Sequence, residues 1–377
     1  MMTFYDNIVS RNRDVELIVN AAARMEKLTP SWMGKQMPKR FALLVTTDIH
    51  ARWKQLQNAV EYLNAMDALD AGICLGDMQC NYFTDNDGSW YTMCLEQSKK
   101  PFYTTIGNHD CGLNCKKEYT GTKEQIFDKF IRKNREYMNL PTLEKTYYSV
   151  NFDAYKITLL VLDNYMASEA RDENGDFIIS RSQNCFDQEE IDWLIKTLAE
   201  VPQDYHVVIA QHSYMGEAEK VACIWSHEDR EIETEYGCYG ACELLPDVIN
   251  AWVNGTNLQK NYEPVENEDL LSALHVNADF TARGKGIFIA YLIGHYHMDT
   301  ISKSKVYPDQ NIIFFDATVL DRNQNFWSDL PRVAGTKSED CITVMAVDTE
   351  KQRIHLVRIG SNYTVNCVER KVISIPY

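Results

Sequence analysis

Side chains that can bind metal ions follow five apolar stretches of the sequence. A single aspartate at the end of a strand more often caps the following helix, and a single buried histidine usually belongs to the core. Five strand ends that all supply oxygen or imidazole donors indicate a metal site instead. In chain order these side chains are Asp48 with His50, Asp77, Asn108 with His109 and Asp110, His212, and His295 with His297.

The spacing of these residues indicates how they meet. Asp48 and His50 lie two residues apart, as do His295 and His297, and residues at this spacing share one face of an extended chain. Aspartate, asparagine and histidine together suit Mn, Fe, Zn or Co, and the absence of cysteine at these strand ends disfavours a thiolate zinc site. Seven ligands exceed the need of one ion, so we expect two divalent transition-metal ions that share a bridging carboxylate. The seven are Asp48, His50, Asp77, Asn108, His212, His295 and His297.

The elements that precede these residues form a repeating pattern. Residues 41–48 and 71–77 are short apolar runs that end on an acid, as buried strands would, and residues 101–110 repeat the arrangement. Between the first two runs, residues 53–66 have the spacing of an amphipathic helix. This order predicts a parallel βαβ unit, in which ligands bind at the carboxyl ends of the strands.

Further apolar runs predict a second set of strands. Residues 146–164 are expected to form a β-hairpin. Residues 185–201 are a predicted helix with Asp187 as its N-cap and Glu190 completing a capping box. The other predicted strands are 205–212 and 286–297, which both end in histidine, and the antiparallel strands of the C-terminal third.

The chain divides at about residue 40. Residues 1–40 are expected to be an N-terminal helical extension, because residues 11–28 carry apolar side chains on one face of a helix. Residues 41–377 are expected to form one domain that ends in β-strands. Within it, residues 215–285 are polar and long for a connection, which predicts a cap-like insertion over the site.

The amino-acid composition indicates which partners the chain binds and in which cellular compartment it is expected. The net charge of −16 argues against a nucleic-acid backbone as the main partner, because such proteins need clustered Lys and Arg. No long apolar run occurs, so we expect no membrane span, and the charged N-terminus lacks the apolar segment of a secretory signal. The eleven cysteines are scattered and do not resemble a disulfide framework, which predicts a reducing, cytoplasmic location.

Five short strings resemble motifs of the calcineurin-like metallophosphoesterase superfamily. They are DIH (48–50), GDMQ (76–79), GNHD (107–110), QH (211–212) and GHYH (294–297), and they occur in the family's order over roughly residues 41–300. The resemblance implies an α/β fold, a four-layer αββα sandwich of two mixed β-sheets flanked by helices. It also implies an enzyme, a metal-dependent phosphoesterase that acts on a small phosphorylated substrate.

The resemblance also implies a role for each residue of the site. A hydroxide that bridges the ions would attack the phosphorus atom. His109 would protonate the leaving alkoxide as general acid, and Asp110 would orient His109. One ion would be held by Asp48, His50 and His297, the other by Asn108, His212 and His295, with Asp77 bridging the two.

The residues after Asp77 separate this chain from two well-known branches of the superfamily. Protein Ser/Thr phosphatases carry Asp and Arg at the positions of Cys80 and Asn81, and purple acid phosphatases carry a metal-binding Tyr at the position of Cys80. The sequence is closer to the broad bacterial phosphoesterase group, so phosphomonoesters and phosphodiesters are both candidate substrates. We expect the Cys80 thiol to support the site rather than to bind a metal.

Several features have two interpretations. A metal-binding scaffold without turnover would keep the same fold, but no ligand is lost. A metal-dependent nuclease would share the site, but the acidic charge disfavours it. Arg52 could reach a substrate phosphate or could simply begin a surface helix. Two cysteine pairs with one spacing could form a zinc clasp, although coincidence is favoured among eleven cysteines; they are Cys111 with Cys115 and Cys238 with Cys242.

Overall fold

Two six-stranded β-sheets dominate the computed structural model, and helices cover their outer faces. The strands are β1 (Phe41–Thr46), β2 (Ala71–Cys74), β3 (Phe102–Thr104), β4 (Tyr148–Phe152), β5 (Ile157–Val161), β6 (His206–Gln211), β7 (Val221–Ala222), β8 (Asp229–Arg230), β9 (Asn257–Tyr262), β10 (Leu274–Asp279), β11 (Ile287–Ile293), β12 (Thr300–Lys303), β13 (Asn311–Phe314), β14 (Cys341–Asp348), β15 (Arg353–Gly360) and β16 (Ile373–Pro376). The helices are α1 (Trp53–Ala65), α2 (Asp85–Leu95), α3 (Asn108–Cys111), α4 (Lys123–Ile126), α5 (Gln188–Glu200) and α6 (Leu244–Asn254), with a π-helical turn (Phe127–Ile131) after α4.

The structure describes most of the chain from residue 40 onward. The predicted N-terminal extension therefore lies outside the described residues. The described ranges are 40–80, 83, 85–132, 136, 138–141, 145–166, 168–219, 221–222, 229–230, 238–240, 242–267, 269–318, 339–360 and 373–377.

The first sheet has the strand order β16-β15-β14-β1-β2-β3. Strands β1, β2 and β3 run parallel, and α1 connects the first two, which confirms the predicted βαβ unit. Strands β14, β15 and β16 add an antiparallel meander on the other side of β1. The carboxyl ends of β1, β2 and β3 therefore meet at one edge of the sheet.

The second sheet has the order β12-β13-β11-β6-β5-β4. Strands β4 and β5 form the predicted hairpin, and β6 lies parallel to both β5 and β11. Strand β13 pairs parallel with β11 and antiparallel with β12, so the expectation of purely antiparallel strands in the C-terminal third is wrong at this pairing. Both large sheets are mixed, as predicted for an α/β fold.

Successive side chains of a strand point to opposite faces of the second sheet and pack in two different hydrophobic cores. In β6, Val208 and Ala210 pack in the core between the sheets, whereas Val207 and Ile209 pack in the core beneath α5 and α6. Each valine or isoleucine side chain contributes about 1.5–3 kcal/mol when fully buried. Strands buried on both faces give the residues that follow them a rigid base.

Helix α5 begins as predicted, but its capping box does not form. The Asp187 carboxylate accepts the Glu190 N–H at 2.9 Å, which confirms Asp187 as the N-cap. Glu190 Oε1 instead accepts the Asp163 N–H at 2.8 Å. That N–H lies buried just after β5, and a buried donor needs an acceptor more than the exposed end of a helix does.

Much of the described part of residues 215–285 packs beside α5 on the outer face of the second sheet. It contains α6 and the β9–β10 hairpin, and Trp252 of α6 donates a hydrogen bond to the Leu198 carbonyl of α5 at 2.9 Å. Residues 223–228 and 231–237 lie outside the described residues. The cap over the site therefore stays a prediction.

Candidate metal centre

The loops after five parallel strands bring the predicted ligands to one place. In the first sheet, Asp48 follows β1, Asp77 follows β2 and Asn108 follows β3. In the second sheet, His212 follows β6 and His295 follows β11. Because both sheets present these carboxyl ends at the same edge, the ligands of the two sheets face each other.

The backbone at these ligands is unusual. Five of the nine described non-glycine residues with left-handed backbone belong to the predicted ligand set: Asp48 (φ 50°), His50 (φ 44°), Asp77 (φ 54°), His295 (φ 65°) and His297 (φ 50°). Each costs about 1–2 kcal/mol relative to ordinary conformations, and such strain concentrates at functional sites. The expected extended geometry at both two-residue spacings is therefore wrong, since these residues turn the chain sharply instead.

Asp48, His50 and His297 form the first of two candidate half-sites. The Asp48 Oδ1 atom lies 3.0 Å from His297 Nε2 and 3.9 Å from His50 Nε2. The two Nε2 atoms are 3.3 Å apart. Three donor atoms at these separations are close enough to bind one cation together.

The other half-site is formed around His212. Its Nε2 atom lies 3.2 Å from Asp77 Oδ2, 3.2 Å from Asn108 Oδ1 and 3.3 Å from His295 Nδ1. His212 Nδ1 lies 2.5 Å from the Leu75 carbonyl, to which it can only donate. That hydrogen bond leaves the Nε2 lone pair for a metal ion in the neutral ring.

Asp77 lies between the two half-sites. Its Oδ2 atom is 3.2 Å from His212 Nε2 and 3.9 Å from His50 Nε2. Its Oδ1 atom accepts the backbone N–H of His109 at 2.9 Å. One oxygen is thus fixed by the chain, and the other is within reach of both groups of ligands.

The charges of the site favour a cation. Burial alone would raise the pKa of Asp48, but His297 beside it lowers that pKa to about 2. The pKa of Asp77 is likewise held well below its usual range by His212 and His109, against the effect of burial. Burial would lower the pKa of His212, but Asp77 raises it to about 10. Two buried carboxylates therefore stay charged and attract either protons or a metal ion.

The donor set fits divalent transition metals. Imidazole nitrogens with carboxylate and amide oxygens suit borderline ions such as Mn, Fe, Zn or Co. Among the described residues, Cys80 is in none of the groups that could hold a metal ion, and its thiol donates to the His50 carbonyl at 3.0 Å. The thiol thus contacts the loop that carries His50, and its supporting role stays a prediction.

His109 lies on the exposed side of Asp77. Its Nε2 atom is 3.8 Å from Asp77 Oδ2, and its side chain is 21 % exposed. The ring meets the His50 ring edge-on at 4.6 Å between centroids. A group bound over Asp77 and His50 would therefore be within reach of this imidazole.

Asp110 has a different task from the one expected. Its carboxylate accepts four backbone N–H groups, from Asp77 and Gly107 at 2.9 Å each, Met78 at 2.8 Å and Gln79 at 3.1 Å. Both oxygens are thus used on the backbone, so the prediction that Asp110 orients the His109 ring is wrong. Asp110 instead ties the loop after β2 to the loop after β3.

One buried cluster beside the centre was not predicted. Asp299, Asp316 and Cys341 lie close enough to hold an ion, but the Arg358 guanidinium contacts both Asp299 and Cys341. A buried arginine already supplies the positive charge, which makes this cluster an ion-pair network. Asp316 follows β13 as Asp48 follows β1. This acid at the end of a strand is the feature of the sequence that could have predicted the cluster.

The two cysteine pairs do not form a zinc clasp. Among the described residues, the groups that could hold a metal include none of these four cysteines. Cys238 instead bonds to the segment before α5, through its N–H to the Asn184 carbonyl at 2.9 Å and its thiol to Gln183 Oε1 at 3.5 Å. Arg52 is exposed at the start of α1, which fits its interpretation as a residue that begins a surface helix.

Residues 41–299 match the sequence profile of the calcineurin-like phosphoesterase family. The chain belongs to the calcineurin-like phosphoesterases. Its family is thus a divalent-metal-dependent one, and the family resemblance expected from the five motifs is confirmed. No helix in the described part of this phosphoesterase has the length and apolar content needed to cross a bilayer.

The solved structures that match this phosphoesterase share little sequence with it. Protein TT1561 of Thermus thermophilus has 9% identity and a TM-score of 0.41, over 85% of this chain and 99% of its own. The phosphopantetheinyl hydrolase PptH of Mycobacterium tuberculosis has 10% identity and a TM-score of 0.36, over 74% and 91%. No curated protein matches the chain. The family assignment therefore rests on the sequence match.

Proposed function

We propose that the chain hydrolyses phosphate esters of small molecules at a centre that holds two divalent transition-metal ions. The observation that carries the proposal is the position of Asp77 Oδ2 between His212 Nε2, at 3.2 Å, and His50 Nε2, at 3.9 Å. A single oxygen near both ligand groups is what a shared bridging ligand requires. When bound there, two ions would supply Lewis acidity toward phosphoryl oxygens and would activate water at neutral pH.

The side chains of the site have separate tasks in this proposal. Asp48 and Asp77 are buried carboxylates, whose negative charge would hold the cations. The Leu75 carbonyl fixes the His212 ring with Nε2 toward the centre. His109, on the exposed side of Asp77, gives the proton at its Nε2 to the leaving oxygen as the ester bond breaks.

The overall charge favours small substrates. A net charge of −16 repels polyanions, whereas a local pair of cations attracts one phosphate group. The two half-sites would be Asp48, His50 and His297, and Asn108, His212 and His295. A cytoplasmic location and a cap formed by residues 215–285 remain predictions from the sequence.

Hydrolysis of aryl phosphates with added Mn²⁺ tests the proposal. The substrates are p-nitrophenyl phosphate, phenyl phosphate and bis-p-nitrophenyl phosphate, and supercoiled DNA tests for nuclease activity. We expect turnover of a monoester or diester and little nicking of DNA. A chain that binds two ions yet hydrolyses none of these esters would contradict the proposal and favour a scaffold.

His109→Ala tests the role of the general acid. We expect kcat to fall about 10²–10⁴-fold, with a larger loss for phenyl phosphate, whose leaving group needs the proton more. Metal content should not change. His275→Ala is the matched control, because His275 is exposed on the β9–β10 hairpin and outside the ligand set. Equal losses for the two leaving groups would refute the assigned role.

A further inference from the structure

Thr47 lies directly before the ligand Asp48 and is completely buried. We infer that Thr47 is a positioning residue, whose hydroxyl group fixes Asp48 as a one-oxygen ligand of the half-site with His50 and His297. The inference rests on the proposed function, because it concerns how that site holds its metal. Nothing in the ligand motifs themselves assigns a role to this threonine.

The two oxygens of Asp48 have different surroundings. Asp48 Oδ2 accepts the Thr47 hydroxyl at 2.6 Å and the His295 N–H at 3.0 Å. Asp48 Oδ1 faces the ring nitrogens, at 3.0 Å from His297 Nε2 and 3.9 Å from His50 Nε2. Two donors on Oδ2 stop the carboxylate from turning to chelate with both oxygens. Only Oδ1 is then presented to the ion.

Thr47 is itself held firmly. Its N–H donates to the Thr318 hydroxyl at 3.0 Å, and its carbonyl accepts the Thr318 N–H at 2.8 Å. The other acceptor within reach of its hydroxyl, the Leu75 carbonyl, is more distant at 3.3 Å. Gly294 packs against the hydroxyl so closely that a Cβ there would lie 2.0 Å from Thr47 Oγ1. The hydroxyl group therefore has little freedom to leave Asp48.

The second aspartate of the centre is fixed in another way. Asp77 Oδ1 accepts a backbone N–H, from His109 at 2.9 Å, and this donor does not depend on a hydroxyl side chain. Removing the Thr47 hydroxyl should therefore weaken one half-site and spare the other. Loss of a hydrogen bond that orients a ligand typically lowers metal affinity 10–100-fold.

Two comparisons of variants separate the effect of the hydroxyl group on metal binding from the effect of packing. Thr47→Val keeps the shape and removes the hydroxyl, and Thr47→Ser keeps the hydroxyl. Thr47→Ala and Thr47→Ser differ only in the hydroxyl, so this pair serves if the valine variant does not fold. The probe is Mn²⁺ alone, measured by equilibrium dialysis against the full-length chain, with the thermal midpoint of the chelated protein as a check of folding.

We expect Thr47→Val and Thr47→Ala to bind one Mn²⁺ with normal affinity and the other 10–100-fold more weakly, with Thr47→Ser close to the unaltered chain. Hydrolysis lost in Thr47→Val should return at high Mn²⁺, whereas Asp48→Asn should not recover. If the unaltered chain binds two ions and both hydroxyl-free variants bind them equally well, the inference is wrong and the proposed function survives. If the unaltered chain binds no Mn²⁺, both are overturned.

Discussion

A single methyl group added at Gly294 should disable the metal centre. The backbone of Gly294 is not left-handed, so the contacts of the new Cβ decide the effect of alanine there. That Cβ would lie 2.0 Å from Thr47 Oγ1 and 3.1 Å from Asp48 Oδ2. Because an ordinary contact between non-bonded heavy atoms is about 3.5 Å, Thr47 Oγ1 must move by more than about 1 Å. Such a movement breaks its hydrogen bond to Asp48.

The energetic cost follows from these contacts. Overpacking of a buried site costs about 1–3 kcal/mol. Losing a hydrogen bond to a charged group adds about 1.5–3 kcal/mol, so the free energy of unfolding should fall by roughly 2.5–6 kcal/mol in total. The displaced Asp48 should also bind its metal at least about tenfold more weakly.

Urea unfolding of the chelated protein and Mn²⁺ dialysis measure the two effects separately. Gly286→Ala is the control, because its backbone is also not left-handed and its Cβ would meet the Trp252 ring at 2.5 Å, away from the ligands. We expect Gly286→Ala to lose stability with unchanged Mn²⁺ affinity. If Gly294→Ala loses stability to the same extent and keeps both Mn²⁺ affinities within twofold, Gly294 serves packing alone and does not help to position Asp48.

Two further predictions concern buried acids. Asp110→Asn should weaken Mn²⁺ binding at least about tenfold, because the new amide NH₂ faces two of the four backbone N–H groups that donate to Asp110. The control is Asp172→Asn, at an exposed acid that also accepts backbone N–H groups, and it should have no effect. Equal Mn²⁺ affinities of the two variants would contradict the role given to Asp110. Burial and Asp163 raise the pKa of Glu190 well above its usual value. Above about pH 4.5 the folded state therefore keeps a proton that the unfolded state has lost, and the free energy of unfolding falls as the pH rises. Glu190→Gln removes this dependence, and urea unfolding should show the variant gaining on the unaltered chain between pH 5 and pH 8; a constant difference would refute the shift.

The sequence predicts the strands of the centre because local patterns encode them. Runs such as 41–48 and 71–77 are apolar and end on an acid, and a helix with a clear apolar face connects them. Parallel pairing of these strands then brings their carboxyl ends together. Residue types and order were therefore enough to find which side chains converge.

The backbone of the ligands could not be predicted in the same way. An alternating pattern suggests an extended chain at Asp48 and His50, yet both adopt left-handed conformations that local preference disfavours. Contacts distant in sequence hold them there, such as the His50 N–H bonded to the Asp77 carbonyl at 2.9 Å. Tertiary structure overrides local preference at this point.

Partners of buried polar groups were also beyond prediction. Glu190 satisfies the capping-box pattern, but its carboxylate accepts a hydrogen bond from the N–H of Asp163 instead. Arg358 pairs with Asp299, which lies 59 residues away, and no local pattern links the two. Each choice depends on which groups the fold buries together, and single-sequence patterns carry no information on that.

Anomalous X-ray diffraction from crystals grown with Mn²⁺ would locate the metal ions of this site. We predict two anomalous peaks on the order of 3.5–4 Å apart, with Asp77 Oδ2 between them. One peak should lie among Asp48, His50 and His297, and the other among Asn108, His212 and His295. A single peak at full occupancy of the centre, or two peaks that do not share Asp77, would contradict a two-metal site bridged by this carboxylate.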